Sequence, residues 1–228
     1  MFFSSKKWLK DWHIICDDRW NTEKLFELYA DEISRMQHAG KELFLCGAIR
    51  ALAGTEAPEE YQNGTSGNFA IRKKDDTKFL VTAQGAHKGN LQTNDFVVVH
   101  EVDWWNRNIY ITSLDDFAHL PSTDAPLIAV AFVSSKTVLV WAHFHEVIDA
   151  PREIRITYPA LNAVEWDQLK RLVRFGIREM NMVDHDLYRK GKKNNSVDSA
   201  IVLGEHPEET FLRARTLMER ARSFKKAV

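Results

Sequence analysis

The chain has 228 residues, 44% hydrophobic and 28% charged, enough to bury a substantial core in one large domain or two small ones. Its formal net charge of -1 excludes partner recognition built on bulk charge, whether of nucleic acid or of an acidic membrane. Two cysteines, Cys16 and Cys46, with no Cys-x-x-Cys spacing, exclude a disulfide framework and fit a reducing cytoplasm. The N-terminal MFFSSKKWLKDWH places lysines after its first apolar residues and does not read as a signal peptide. Residues 1–23 read as an N-terminal extension of a single domain spanning 1–228, since no internal repeat or low-complexity linker divides the chain.

Residues 22–54 carry apolar side chains at helical spacing, with Gly40 as the expected break and Gly54 as the expected stop. A turn-rich passage, EAPEEYQNGTSGN, leads into a strand, NFAIR, and TKFLVTAQGAH reads as a second strand ending in a glycine turn. NDFVVVHEVD reads as a third strand. DWWNRNIY reads either as a stacking surface or as packing and interface residues. In STDAPLIAVAFVSS, Asp124 stands where a helix cap belongs and Pro126 in the first turn. The strand TVLVWAHFHEV follows, then an amphipathic helix, AVEWDQLKRLVRFGIREM, a buried strand, SAIVLG, and a final amphipathic helix, PEETFLRARTLMERARSFKK. The most apolar stretch, Pro126 to Trp141, is interrupted by SSKT and is too short to span a bilayer. This order of strands and helices predicts a three-layer α/β/α domain. The cysteine usage, the interrupted apolar run and the balanced charge read as a cytoplasmic chain without a membrane or nucleic-acid partner.

Two patterns carry chemistry. His143 and His145 are two residues apart on a predicted strand, so both imidazoles face one side. They read either as two ligands of a metal site or as two polar side chains on a solvent face. A metal site needs a third ligand, and His185, His206, Asp184, Asp186 and Asp198 are the downstream candidates. The turns NGTSGN and TAQGAHKG, and the helix start PSTD, either present backbone N–H groups to an anion or are plain turns and a plain cap. Lys88 adds a cation beside the second turn. No nucleophile elbow, Walker loop or GxGxxG fingerprint is present.

The order GTSGNFAIR, FLVTAQGAHKGNLQTNDFVVV, STD, HFH and AIVLGEHPEETFLRA resembles the class II aldolase/adducin family over roughly residues 24–222. The resemblance implies a single α/β/α domain with a central, mainly antiparallel sheet. It implies a phosphate clamp at Gly67, Asn68, Gly85, Ser122 and Thr123, and an acid/base carboxylate at Asp124. It implies a divalent metal, Zn(II) first and Mn(II) or Fe(II) as alternatives, held by His143, His145 and Asp198. Two positions depart from the family pattern: Asp124 stands where a glutamate is usual, and Asp198 where a third histidine is usual. The implied activity is a metal-dependent lyase or epimerase acting on a small phosphorylated sugar or ketose through an enediolate. Family members are commonly tetramers, so a homo-oligomer is expected. The alternative is an adducin-like scaffold or small-ligand-binding protein that has lost the metal chemistry.

Overall fold

The structure is a computed structural model. It describes residues 2–3, 12–17, 19–49, 64–113, 119–145, 148, 150, 152–156, 163–184 and 197–227. The described strands are β1 (Phe2–Phe3), β2 (His13–Cys16), β3 (Asn68–Arg72), β4 (Phe79–Thr82), β5 (Phe96–Asp103), β6 (Asn108–Ser113), β7 (Val140–Phe144), β8 (Glu153–Ile156), β9 (Glu179–Asp184) and β10 (Val197–Gly204). They form one sheet in the order β1-β2-β6-β5-β4-β3-β7-β10-β9-β8. Pairing is antiparallel except for β2 on β6 and β8 on β9. The helices are α1 (Thr22–Leu28), α2 (Ala30–Leu45), α3 (Ala125–Ser134), α4 (Ala163–Arg174) and α5 (Pro207–Ala227). The mainly antiparallel α/β/α architecture expected from the sequence is what the chain forms.

Alternation along the central strands separates the two faces. Phe69 of β3 points one way, meeting Phe144 of β7 and, at 5.2 Å between ring centroids, Phe211 of α5. Asn68, Ala70 and Arg72 point the other way. That second face is covered by α3, whose Phe132 lies 5.4 Å from the Phe79 ring of β4. Ala125 through Phe132 are all buried, which explains why α3 is apolar on every side: sheet and α4 enclose it. On the Phe69 face, α2 packs beside α5.

Several elements differ from the sequence reading. Gly40 does not break α2; the break falls at Tyr29, between α1 and α2. Gly40 is there because the helix lies against the backbone at Lys88: a Cβ would stand 2.2 Å from the Lys88 carbonyl oxygen. The expected stop at Gly54 lies outside the described residues; α2 ends at Leu45, and Gly47 takes the left-handed conformation with φ 73°. The helix expected over 163–180 stops at Arg174, where Gly176 (φ 81°) turns the chain and Glu179 starts β9. DWWNRNIY forms the turn and start of a β5–β6 hairpin. Within residues 1–23, read as an N-terminal extension, β1 and β2 join the edge of the sheet. Trp12 there packs with Trp104 and Trp166 at centroid distances of 5.7 and 6.4 Å, and Trp104 and Trp166 meet at 4.6 Å.

Candidate functional site

The site forms where β3, β7 and the start of α3 meet. Register places Asn68 directly opposite His143 and Ala70 opposite Trp141, so Asn68, Trp141 and His143 share the face that α3 covers. This close pairing is possible because Gly67 precedes β3. Gly67 has φ 75°, and a Cβ there would stand 2.2 Å from the His143 carbonyl oxygen. Gly67 therefore serves a close approach of backbone to backbone at the histidine itself.

Asp124 occupies the N-cap position of α3 but makes no side-chain capping bond. Its Oδ2 lies 2.7 Å from His143 Nδ1 and accepts from Asn68 Nδ2 at 2.6 Å. Asn68 Oδ1 accepts from the Trp141 indole Nε1–H at 2.8 Å. All four side chains are buried. His143 Nε2 is buried and has no hydrogen-bond partner among the described residues. A buried polar atom without a partner is costly in a finished core, and here it is the nitrogen available to a metal ion.

The His145 ring lies beside it, at a centroid distance of 5.1 Å. His145 is solvent-exposed as a residue, yet enough protein surrounds its ring that desolvation leads, with His143 and then Lys88 adding to it against Asp124. The result is a pKa pushed down to about 4, which keeps the ring neutral and able to ligate.

The glycine turns and the start of α3 converge here. Thr65 N and Oγ1 both donate to the Ala86 carbonyl, Gln84 N donates to the Leu120 carbonyl, and Ala83 bridges Pro121. Thus Gly67, Gly85, Ser122 and Thr123 come together, with Ser122 Oγ accepting from Asp124 N at 3.3 Å. Asn68 comes with them, but both ends of its amide are engaged by Trp141 and Asp124.

Lys88, which the sequence places only as a cation beside a turn, is a core residue of the site. It is 2% exposed, its Nζ donates to the Thr65 carbonyl at 2.8 Å, and its backbone N–H donates to Thr65 Oγ1 at 2.9 Å. Burial pushes its pKa down to about 7, against the raising pull of Asp95 and Asp124. A lysine in the turn HKGN carries no sign of burial in sequence; only the packing of α2 and the Thr65 loop over it creates the effect.

The chain matches the family model "Class II Aldolase and Adducin N-terminal domain" over residues 49–182, more than half its length. It belongs to the class II aldolase and adducin family. YgbL of Klebsiella pneumoniae, described as a candidate aldolase, epimerase or decarboxylase, is 14% identical, with 91% of each chain covered and a TM-score of 0.58. L-fuculose-1-phosphate aldolase of Thermus thermophilus is 16% identical, with 87% of this chain and 94% of that one covered and a TM-score of 0.53. Sugar-phosphate aldolase of Thermotoga maritima is 11% identical over 87% of this chain and 95% of that one, with a TM-score of 0.58. These likenesses show the fold. Among curated proteins none matches.

Among the described residues, no three His, Cys, Asp or Glu side chains form a complete metal-ligand set. The backbone of Asp198 sits in β10 beside β7, where Ala200 pairs with Phe144, at a register irregularity between Val197 and Ser199. Its side chain, that of Asp184, and residues 185–186 lie outside what the structure describes. His206 stands beyond Gly204, which pairs with Val140, at the opposite end of β10 from Asp198. A groove of about 390 Å³ between α2 and α5 lies on the Phe69 face, away from His143, and its Arg35–Glu208 and Arg215–Glu42 pairs hold each other's charge. No described helix is long and apolar enough to cross a membrane.

Proposed function

We propose that the chain is a divalent-metal-dependent lyase or epimerase acting on a small phosphorylated sugar or ketose, cytoplasmic and homo-oligomeric, with a tetramer favoured. The observation that carries this reading is the buried His143 Nε2, without a partner among the described residues, beside His145. His143 and His145 would hold the ion, Zn(II) first, with Asp198 as the proposed third ligand. When bound, the ion would polarise the substrate's carbonyl and hydroxyl oxygens as a Lewis acid. The chain's own residues bind and orient. Gly67, Gly85 and the Ser122–Thr123 start of α3 offer backbone N–H and hydroxyl groups to the phosphate, supplying positioning through a part of the substrate remote from the chemistry. Lys88, when protonated, adds positive field beneath the same turns. Asp124 is the proposed group that moves the proton. The exposed Trp105 and Phe175 support assembly.

A second reading is favoured by one contact: Asp124 Oδ2 is already engaged by His143 and Asn68. In that reading the chain binds a ligand or builds an assembly without catalysis. Metal content by ICP-MS on protein purified without chelator separates the two. About one transition metal per chain, lost in the His143→Ala/His145→Ala double variant, is the expected result for a working centre. Wild type that stays metal-free after reloading with Zn(II), Mn(II) or Fe(II) would overturn the lyase reading.

A further inference from the structure

We infer that Asn68 is a positioning residue for His143, acting through Asp124, rather than a donor to a substrate phosphate. Proton placement at four buried side chains leads there. The Trp141 indole nitrogen can only donate, so the Asn68 atom facing it at 2.8 Å is Oδ1, and the amide orientation is fixed. Nδ2 then faces Asp124 Oδ2 at 2.6 Å and His143 Nδ1 at 3.1 Å. An ionised carboxylate only accepts. Were His143 Nδ1 also an acceptor, two lone pairs would face each other across the 2.7 Å contact with Asp124. A proton on Nδ1, facing Asp124 across that contact, relieves this, and Asn68 donates to the same oxygen.

The 3.1 Å approach of Asn68 to His143 is thus two donors sharing one acceptor. In the neutral ring, a proton on Nδ1 leaves the lone pair on Nε2, the atom with no partner among the described residues. A carboxylate that holds a ligand imidazole in one tautomer typically contributes about tenfold to a hundredfold in metal affinity. Asn68 fixes that carboxylate, and Trp141 fixes Asn68. The shorter reach of an aspartate at position 124 suits this contact.

The assignment rests on the proposed metal role of His143, and its test separates the two. In metal-free protein carrying ¹⁵N-histidine, the wild-type His143 ring should show the Nδ1–H tautomer, and Asn68→Ala should mix the tautomers. Zn(II) dissociation constants from chelator competition should rise about tenfold to a hundredfold in Asn68→Ala. The dissociation constant for inorganic phosphate, read by calorimetry, should stay within about twofold if Asn68 donates nothing to the anion. Trp141→Phe, which frees the amide without removing it, should shift the tautomer in the same direction and carries the test if Asn68→Ala fails to fold. An unchanged tautomer and Zn(II) affinity with lost phosphate binding would overturn the assignment. A wild type that binds no Zn(II) but shows the Asn68-dependent tautomer would sink the metal reading and leave the positioning role standing.

Discussion

At the scale of single residues, Lys88 departs far from its ordinary chemistry. Desolvation pushes its pKa from 10.5 down to about 7. Between these values the unfolded chain keeps a proton that the folded chain has released. Stability therefore rises with pH across that window and is lost as pH falls toward 7, with a slope approaching about 1.4 kcal/mol per pH unit. Lys88→Met should remove that slope, read from urea midpoints at a series of pH values spanning the same window. Identical slopes in wild type and variant would show that the buried lysine is not the cause. Below pH 7, where the folded chain holds the Lys88 proton, the same variant should weaken inorganic phosphate binding if the cation beneath the turns draws the anion.

Among the elements, α2 shows how a neighbour overrides local preference. A glycine inside a helix ordinarily costs about 0.5–1 kcal/mol relative to alanine. Gly40→Ala should do the reverse of the usual repair and destabilise by about 1–3 kcal/mol, because the added Cβ meets the Lys88 carbonyl oxygen at 2.2 Å. A urea midpoint equal to or above that of wild type would count against the contact. The same contrast explains what the sequence disclosed. β3, β4, β5, β7 and β10 are buried runs rich in Val, Ile, Leu and Phe, and such runs declare themselves. β9 did not, because EMNMVD continues the apolar spacing of α4 across Gly176, and only the left-handed turn there separates them. β6 hid behind the conspicuous tryptophans of DWWNRNIY, and β2 is four residues long, set between β6 and the two-residue β1. At the site, the two histidines and the turns were visible from spacing. The engagement of Asn68 was not, since it depends on the β3–β7 register and on an indole two residues before His143.

Across the whole molecule, the sheet that carries the site also carries a partly buried histidine on a separate strand. His100 is the extra residue of a register shift between Val99 and Glu101 on β5. Its Nε2 lies 2.6 Å from Thr112 Oγ1, and its ring stacks on Trp20 at 4.9 Å. Burial, with Lys78 and Arg19 helping and Asp17 opposing, pushes its pKa down to about 4. The unfolded chain thus takes up a proton between 6.5 and 4 that the folded chain refuses, so stability falls as pH drops through that range. His100→Gln should flatten the fall, measured as urea midpoints across that range; an equally steep fall in the variant would place the titrating group elsewhere. The Trp12–Trp104–Trp166 cluster has another consequence. It draws one indole each from the N-terminal segment, the turn after β5 and α4. Rings this close share their excited states, so the near-ultraviolet signal of the protein carries a component that exists only while the N-terminal strand is seated. The chain carries its own optical report of whether that strand has found its place.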